Sequence, residues 1–535
     1  MQPPTDPSPT AHTHEDIDAR SPIRPDNGGI GKFLTLSTIW WWVVPVTIFC
    51  VSILQPVKPN DFWWHIRTGQ IILSTGHIPT IDAFSFTRTG EIWINQSWLM
   101  QITLYVLYRI GAGPIDLVGN LANSGGLALV LLAHAIWITI GYSLVLLTVG
   151  RRLGIRVAAV ATFLGVTLGL SDWAVRPQSV SFLFFGILIY LIEEHRAGQT
   201  RKLWWTVPLF ALWVNSHGGF IFGVGALGFY VLGQLWIFWR SHMPKSNRRS
   251  MFALAANGLL TLVALSLNPQ GPIGIINYVL SFFRSDVTIQ LNSEFVPLTL
   301  RQTNGLLLFG VLLFLVFCLL RTRWRLQPYQ VISLLAFLTL ALYTQRGLPW
   351  LGIIMIPILA DGLNHLWTGN KTIHPGKAGL NGAILVIFGL SVLMALPWWR
   401  GSLPLPQEKR VLASINTPQA ATAFLCRQAD TTERPIRVYQ HFAFASYQIW
   451  ACPDLPVFID TRIEMYDGRI WTDYFAISEG RFDWTSVAKD HGITHLFLDP
   501  LEQPQAIRAA QSNICWSQTY QDDVAVIFEH NIGCP

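Results

Sequence analysis

The sequence predicts an all-α polytopic membrane bundle of about 11 spans, with outer interfacial helices and a C-terminal soluble α/β domain. Three observations carry this. Hydrophobic residues are 51% of the 535-residue chain and charged residues only 13%, against about 25% charged in a soluble protein. Apolar runs recur up to residue 397, each long enough or nearly so to cross a hydrocarbon layer about 30 Å thick. Beyond residue 399 the pattern changes to short apolar strands alternating with helical segments.

Residues 1–32 are rich in Pro, Asp and Thr, with no apolar core and no small-residue cleavage site. They read as a disordered tail rather than a signal peptide. Candidate spans follow at 33–54, 127–149, 155–171, 178–193, 203–215, 218–239, 251–267, 304–320, 328–343, 347–362 and 379–397. Every second loop is basic. Arg151, Arg152 and Arg156 follow the second span, and Arg196, Arg201 and Lys202 the fourth. Arg240, Lys245, Arg248 and Arg249 follow the sixth, Arg321, Arg323 and Arg325 the eighth, and Lys371 and Lys377 the tenth. Cationic loops stay in the cytoplasm. The N-terminus is therefore expected inside, and the loop 55–126, the loop 268–303 and the tail 399–535 outside. The bundle domain is expected over 33–398. The net charge of +6 is used up in these loops and is no nucleic-acid signature.

In the tail, "IRVYQ", "LPVFID" and "THLFLD" read as buried strands. "TPQAATAFLCRQ" and "DWTSVAKDHG" read as helices, the first with Thr417 as cap and Pro418 in its first position. Four of the 6 cysteines lie here: Cys426, Cys452, Cys515 and Cys534. An outer, oxidising location allows disulfides with three pairings open, or buried free thiols. The expected pairs are Cys426 with Cys452 and Cys515 with Cys534. No spacing suggests a zinc site.

The chemistry concentrates just after the first span, in "NDFWWHIRTGQIILSTGHIPTIDAFSFT". As a helix from Asp61 to Leu73, it places Asp61, His65 and Thr68 on one face and Phe62, Ile66 and Leu73 on another. Trp63 and Trp64 flank them. This is an amphipathic helix lying in the membrane interface. Gly76 and Pro79 end it and set Asp82 on a loop; residues 97–110 form a second such helix.

The pattern D-x-W-W-H-x-x-T-G, then G-x-x-P-x-x-D-x-F-S-x-T, then "WINQSWL", resembles bacterial membrane glycosyltransferases of the GT-C class. "AVRPQSVSFLF", "LWVNSHGGFIFG" and "VFIDTRIEMY" extend the resemblance over nearly the whole chain. It implies oligosaccharyltransferase-like or protein mannosyltransferase-like architecture in a bacterial plasma membrane. It also implies transfer of a sugar from a polyprenyl-phosphate lipid, outside the membrane, to a glycan, lipid or protein acceptor, with membrane lipids around and no nucleic acid. The class carries an acid in its first outer loop, where this chain has Asp61. A second acid expected before the "WL" pair is replaced by Gln96 and Ser97.

Asp61 is the expected base, with His65 beside it in the catalytic group. Charge on the departing phosphate calls for cations. Arg176 and Arg346, at outer span ends, suit this because a guanidinium fork pairs with phosphate oxygens. His217, at another outer turn, and Trp63, Trp64 and Asp82 are the further substrate-binding candidates. Related oligosaccharide transferases hold a divalent metal with acids of the first and a later outer loop, which makes Asp61, Asp82 and Glu294 a candidate oxygen set for Mg²⁺ or Mn²⁺ by that resemblance; many members of the class work without metal. Asp460, Arg462 and Glu464 form a charged cluster at a strand end, which can bind an acceptor or make a salt bridge within the tail; the salt bridge is the expected reading. Rival functions are a transporter or flippase of lipid-linked glycan, and a non-catalytic envelope-assembly protein binding polyprenyl lipids. The first would place charge at the bilayer midplane within repeats, which the sequence does not show.

Overall fold

The computed structural model describes residues 34–113, 122–240, 246–284, 295–367, 376–432 and 434–534. Each predicted span falls on a helix. In order these are α1 (Leu36–Ile53), α4 (Ala122–Leu153), α5 (Ile155–Thr167), α6 (Gln178–Arg196), α7 (Thr206–Trp213), α8 (Phe220–Arg240), α9 (Ser246–Ala264), α11 (Thr303–Thr322), α12 (Pro328–Tyr343), α13 (Leu348–Leu366) and α14 (Ala378–Ala395). The two interfacial helices are α2 (Phe62–Thr75) and α3 (Trp98–Ala112). One helix, α10 (Gly271–Arg284), lies where only an outer loop was expected. Among the described residues, six helices are long and apolar enough to cross a membrane, and four apolar helices are shorter.

The helix α13 is the axis of the bundle. Its residues 348–362 are all buried and, Asp361 at the basic end apart, apolar on every side, as a helix enclosed by other helices must be. It packs on α5, where a side chain added to Gly165 would strike the Gly352 carbonyl region. Backbone contact through small residues is how helices associate without a hydrophobic drive between them. At the end bearing the basic loops, Arg152 pairs with Asp361 at 2.8 Å and Glu193 at 3.5 Å, and Arg196 with Glu193 at 2.6 Å. These ion pairs tie α4, α6 and α13.

The tail holds α15 (Gln419–Thr431), β1 (Val438–Gln440), α16 (Phe442–Ala451), α17 (Gly468–Ser478), α18 (Trp484–Asp490), β2 (His495–Leu498), α19 (Pro504–Gln511), β3 (Trp516–Gln521) and β4 (Val526–His530). The sheet order is β1-β2-β4-β3, with β1 and β2 parallel and the other pairs antiparallel. "IRVYQ" and "THLFLD" are strands as expected. "LPVFID" is not: Val457 makes only single bridges, to Val438 on one side and Ser85 on the other. The first tail helix begins at Gln419, with Pro418 rather than Thr417 in the cap position. Both expected disulfides, Cys426–Cys452 and Cys515–Cys534, are present.

Tail and outer loop share one core, in which Trp64, Phe84 and Trp93 pack with Tyr439, Phe458, Tyr466 and Trp471. The Phe86 amide donates to Val457 O at 3.0 Å and the Val457 amide to Phe84 O at 2.9 Å. Beside this pairing the Arg462 guanidinium bonds Asp82 at 2.6 Å and grips both oxygens of Asp460. All three side chains are essentially inaccessible.

Candidate active site

The site is assembled from places far apart in the chain. The helix α2 follows α1 after a short link, and Asp61 takes its N-cap position with helical backbone angles (φ −47°, ψ −34°) and no side-chain capping bond. An N-cap aspartate normally accepts from the first amides of its helix. Here the carboxylate is spent elsewhere: Asp61 Oδ2 lies 3.5 Å from Arg176 Nη1. The same guanidinium bonds Asp172 at 3.0 Å, and Gln178 Nε2 donates to the other Asp172 oxygen. Asp172 lies four residues before Arg176, a spacing that sequence reasoning left unused. A buried arginine held by two carboxylates is a fixed cation rather than a snorkelling one.

One turn into α2, His65 lies fully inside, its ring against the Trp64 indole with centroids 3.5 Å apart. Gln101 Nε2 reaches His65 Nδ1 at 3.2 Å, and Gln101 and Asn95 exchange two amide bonds of 2.9 and 2.7 Å. An amide nitrogen only donates, so Nδ1 accepts and the ring proton sits on Nε2. Burial is the main cause that holds His65 well below the usual histidine range, helped by His217, Arg176 and Arg462. His65 is therefore a neutral imidazole at pH 7. The contact requires α2 and α3 to touch closely, and Gly69 permits it: a side chain there would strike the Gln101 carbonyl.

His217 sits at the α7–α8 turn. The Gly219 amide donates to its Nδ1 at 3.0 Å, and the Ser181 hydroxyl lies 2.9 Å from the same nitrogen. Arg346, at the α12–α13 turn, lies over the Phe295 ring at 4.3 Å.

These groups line two adjoining cavity lobes. One, of about 320 Å³, lies against the tail and is walled by Asn60, Asn95, Gln96, Ser97, Phe442, Thr461 and Glu464 among others. The second, of about 270 Å³, runs into the bundle between Phe222, Val279, Leu340, Tyr343 and Trp350. Both are lined by Asp61, His65, Arg176, His217, Tyr278, Phe295 and Arg346. One acid, two guanidinium groups and two histidines therefore stand at the waist between a polar lobe and an apolar one.

Of the sequence candidates, Asp61, Trp64, His65, Arg176, His217 and Arg346 line the cavity. Trp63 does not. It is buried edge-on against Phe62 and Tyr447, with its Nε1 donating to Lys58 O. Asp82 does not either: it is 2% exposed and bonded to Arg462, so its part is to fasten the outer loop to the tail. Glu294 lies outside the described residues. Among the described residues no group of three or more His, Cys, Asp or Glu side chains is placed to hold a metal ion. Asp82, paired with Arg462, does not border the cavity that Asp61 lines. Gln96 and Ser97 do line the tail lobe, with Gln96 Nε2 donating to Val214 O at 2.5 Å. A carboxylate of the charged tail cluster stands in the same lobe: Glu464.

No family model and no curated protein matches the sequence. Solved structures do match. The Archaeoglobus fulgidus oligosaccharyltransferase in its apo form superposes with a TM-score of 0.51 at 12% identity, over 90% of this chain and 73% of that one. The same protein tethered with an acceptor peptide containing the NVT sequon gives 0.50 at 13% identity, over 92% and 74%. ArnT from Cupriavidus metallidurans bound to undecaprenyl phosphate gives 0.46 at 13% identity, over 94% and 98%. The likeness to the oligosaccharyltransferase establishes the fold, a polytopic GT-C membrane architecture with a C-terminal domain.

Proposed function

We propose that the protein is an integral-membrane glycosyltransferase. It moves a sugar from a polyprenyl-phosphate donor to an acceptor on the outer side of a bacterial plasma membrane, with its N-terminus in the cytoplasm and residues 399–535 outside. The observation that carries this is the placement of Asp61 and Arg176 at the waist between an apolar and a polar lobe. An isoprenoid chain suits the apolar lobe, its phosphate the two arginines, and sugar with acceptor the polar lobe.

The chemistry needs little else. The acceptor oxygen attacks the anomeric carbon, its proton passes to the Asp61 carboxylate, and the bond from that carbon to the phosphate oxygen breaks. One displacement inverts the anomeric centre. Negative charge grows on the phosphate as it leaves, and Arg176 and Arg346, already fixed by their surroundings, offset it without reorganising. Asp172 orients Arg176. His65, being neutral, is suited to donate a hydrogen bond through Nε2 rather than to act as base; His217, held at Nδ1, is suited to do the same.

The test is Asp61→Asn, which keeps shape and removes the basic carboxylate. Transfer should fall about 10²- to 10⁴-fold with undecaprenyl phosphate binding and folding retained, read by mass analysis of envelope glycans and by transfer in isolated membranes. Wild-type transfer in the Asn protein would remove Asp61 as base.

A further inference from the structure

Within that reading, we infer that the tail supplies the acceptor half of the site, that Glu464 selects the acceptor, and that the acceptor is a saccharide. Three observations lead there.

The first is position. Phe442, Ala443, Thr461 and Glu464 of the tail form one wall of the polar lobe and none of the bundle lobe. With donor phosphate held at the waist, the group that receives the sugar must approach from this wall. The second is the state of Glu464. Its side chain is open to the cavity, while Asp460 is sealed in the clamp to Asp82 and Arg462, which also borders the lobe, has its guanidinium committed to that clamp. Desolvation among the lobe's walls is the main cause that raises the Glu464 carboxyl from its usual range. Asp61 adds to the rise, and Arg462 and Arg346 oppose it. The clamp leaves Glu464 as the carboxyl that the tail presents to the lobe among the described residues. The third is the chemistry of the wall. The tail lobe offers carboxyl, amide and hydroxyl groups beside the rings of Phe442, Trp64 and Trp93. Hydroxyls of a sugar meet carboxyl and amide groups, and its C–H faces lie on aromatic rings. A peptide captured by strand addition calls for an extended backbone edge to pair with. The tail wall instead presents the first residues of α16 and the 3₁₀ turn Ile463–Met465.

Glu464 touches neither leaving group nor attacking atom in this scheme. It holds a neighbouring hydroxyl so that the attacking one faces Asp61. Its loss should therefore act on acceptor affinity more than on donor affinity.

The experiment uses full-length protein in detergent and saturation-transfer NMR. The probes are methyl glycosides of glucose, mannose, N-acetylglucosamine and arabinose, with a hexapeptide containing Asn, Ser and Thr as comparison. At least one glycoside should bind wild-type protein. Glu464→Gln and Glu464→Ala should each weaken it about tenfold, the loss of one charge-assisted hydrogen bond, and Phe442→Ala should weaken it as well. Undecaprenyl phosphate binding should be unchanged in all three, and thermal melting should show each folded. Binding of the peptide but no glycoside, binding of neither, or equal glycoside binding by wild type and both Glu464 variants would overturn the inference. Failure of undecaprenyl phosphate to bind, with glycoside binding still dependent on Glu464, would sink the donor assignment and leave this one standing.

Discussion

Replacing Arg462 by Met should release the tail from the outer loop without touching the bundle. The wild-type guanidinium is 1% exposed and stands between two carboxylates, each 0% exposed, of Asp82 and Asp460. It also lies 4.7 Å from the Trp93 ring centre and 5.0 Å from that of Phe84. Its Nη1 has no hydrogen-bond acceptor among the described residues, and those rings take its place. Burial works against the cation, and Asp460 and Asp82 more than offset this, raising its pKa well above the usual value. Met fills similar volume but strands both carboxylates. Breaking a buried pair from one side costs about 3–5 kcal/mol, and an aromatic contact with a cation about 0.5–1 kcal/mol. With about 4 kcal/mol lost, the opening equilibrium of the junction rises roughly 10³-fold. Hydrogen exchange reads this directly at the Phe86 and Val457 amides, whose bonds of 3.0 and 2.9 Å cross the junction. Their exchange should accelerate by that order while amides within α4 keep wild-type protection. Arg462→Lys keeps the charge but loses the fork and should lie between. Adding Asp82→Asn to the Met variant removes one stranded charge and should restore part of the loss. Wild-type protection at both amides in Arg462→Met would refute the clamp.

Three further outcomes are expected. Arg176→Ala and Arg346→Ala should each weaken undecaprenyl phosphate binding about tenfold or more, a charged hydrogen bond being worth about 1.5–3 kcal/mol; filter binding with labelled lipid measures it, and an unchanged affinity would take that arginine from the phosphate seat. His65 has a folded pKa below its unfolded value of 6.5, so below pH 6.5 the unfolded chain binds a proton that the folded one refuses. Stability should fall on acidification from that point by up to about 1.4 kcal/mol per pH unit, and His65→Gln should show a shallower slope in thermal melts. Removing the Cys515–Cys534 bond, which spans 19 residues, should lower tail stability by about 3 kcal/mol, seen as faster proteolysis of β3 and β4 beside an intact bundle.

The bundle was legible in the sequence because its signals are local. Span length, basic loops and the 3.6-residue faces of α2 are each set by residues within a few turns of one another. The outer helix α10 escaped because the loop containing it was read for charge rather than for periodicity. The strand β3 escaped because "WSQTYQ" is exposed at most of its positions and carries no apolar alternation. The clamp escaped, and the charged tail cluster was read mainly as a salt bridge, for a deeper reason. Asp82 and Arg462 are 380 residues apart, and no pattern within either segment announces the other. Asp460, Arg462 and Glu464 recur every second residue, and a strand would turn all three to one face. A salt bridge within the tail is then the natural reading. The chain instead enters a 3₁₀ turn at Ile463–Met465, which breaks the period. Asp460 stays with Asp82 in the junction, Arg462 pairs with both at the lobe's edge, and Glu464 is turned to the cavity. The clamp thus does two things at once: it fastens the tail over the bundle, and by holding residues 460 and 462 it aims residue 464 at the site. On this view the carboxyl missing from the outer loop at Gln96 is answered by one reaching the same lobe from the tail, and any substitution that loosens Asp82 from Arg462 should weaken acceptor binding along with the junction.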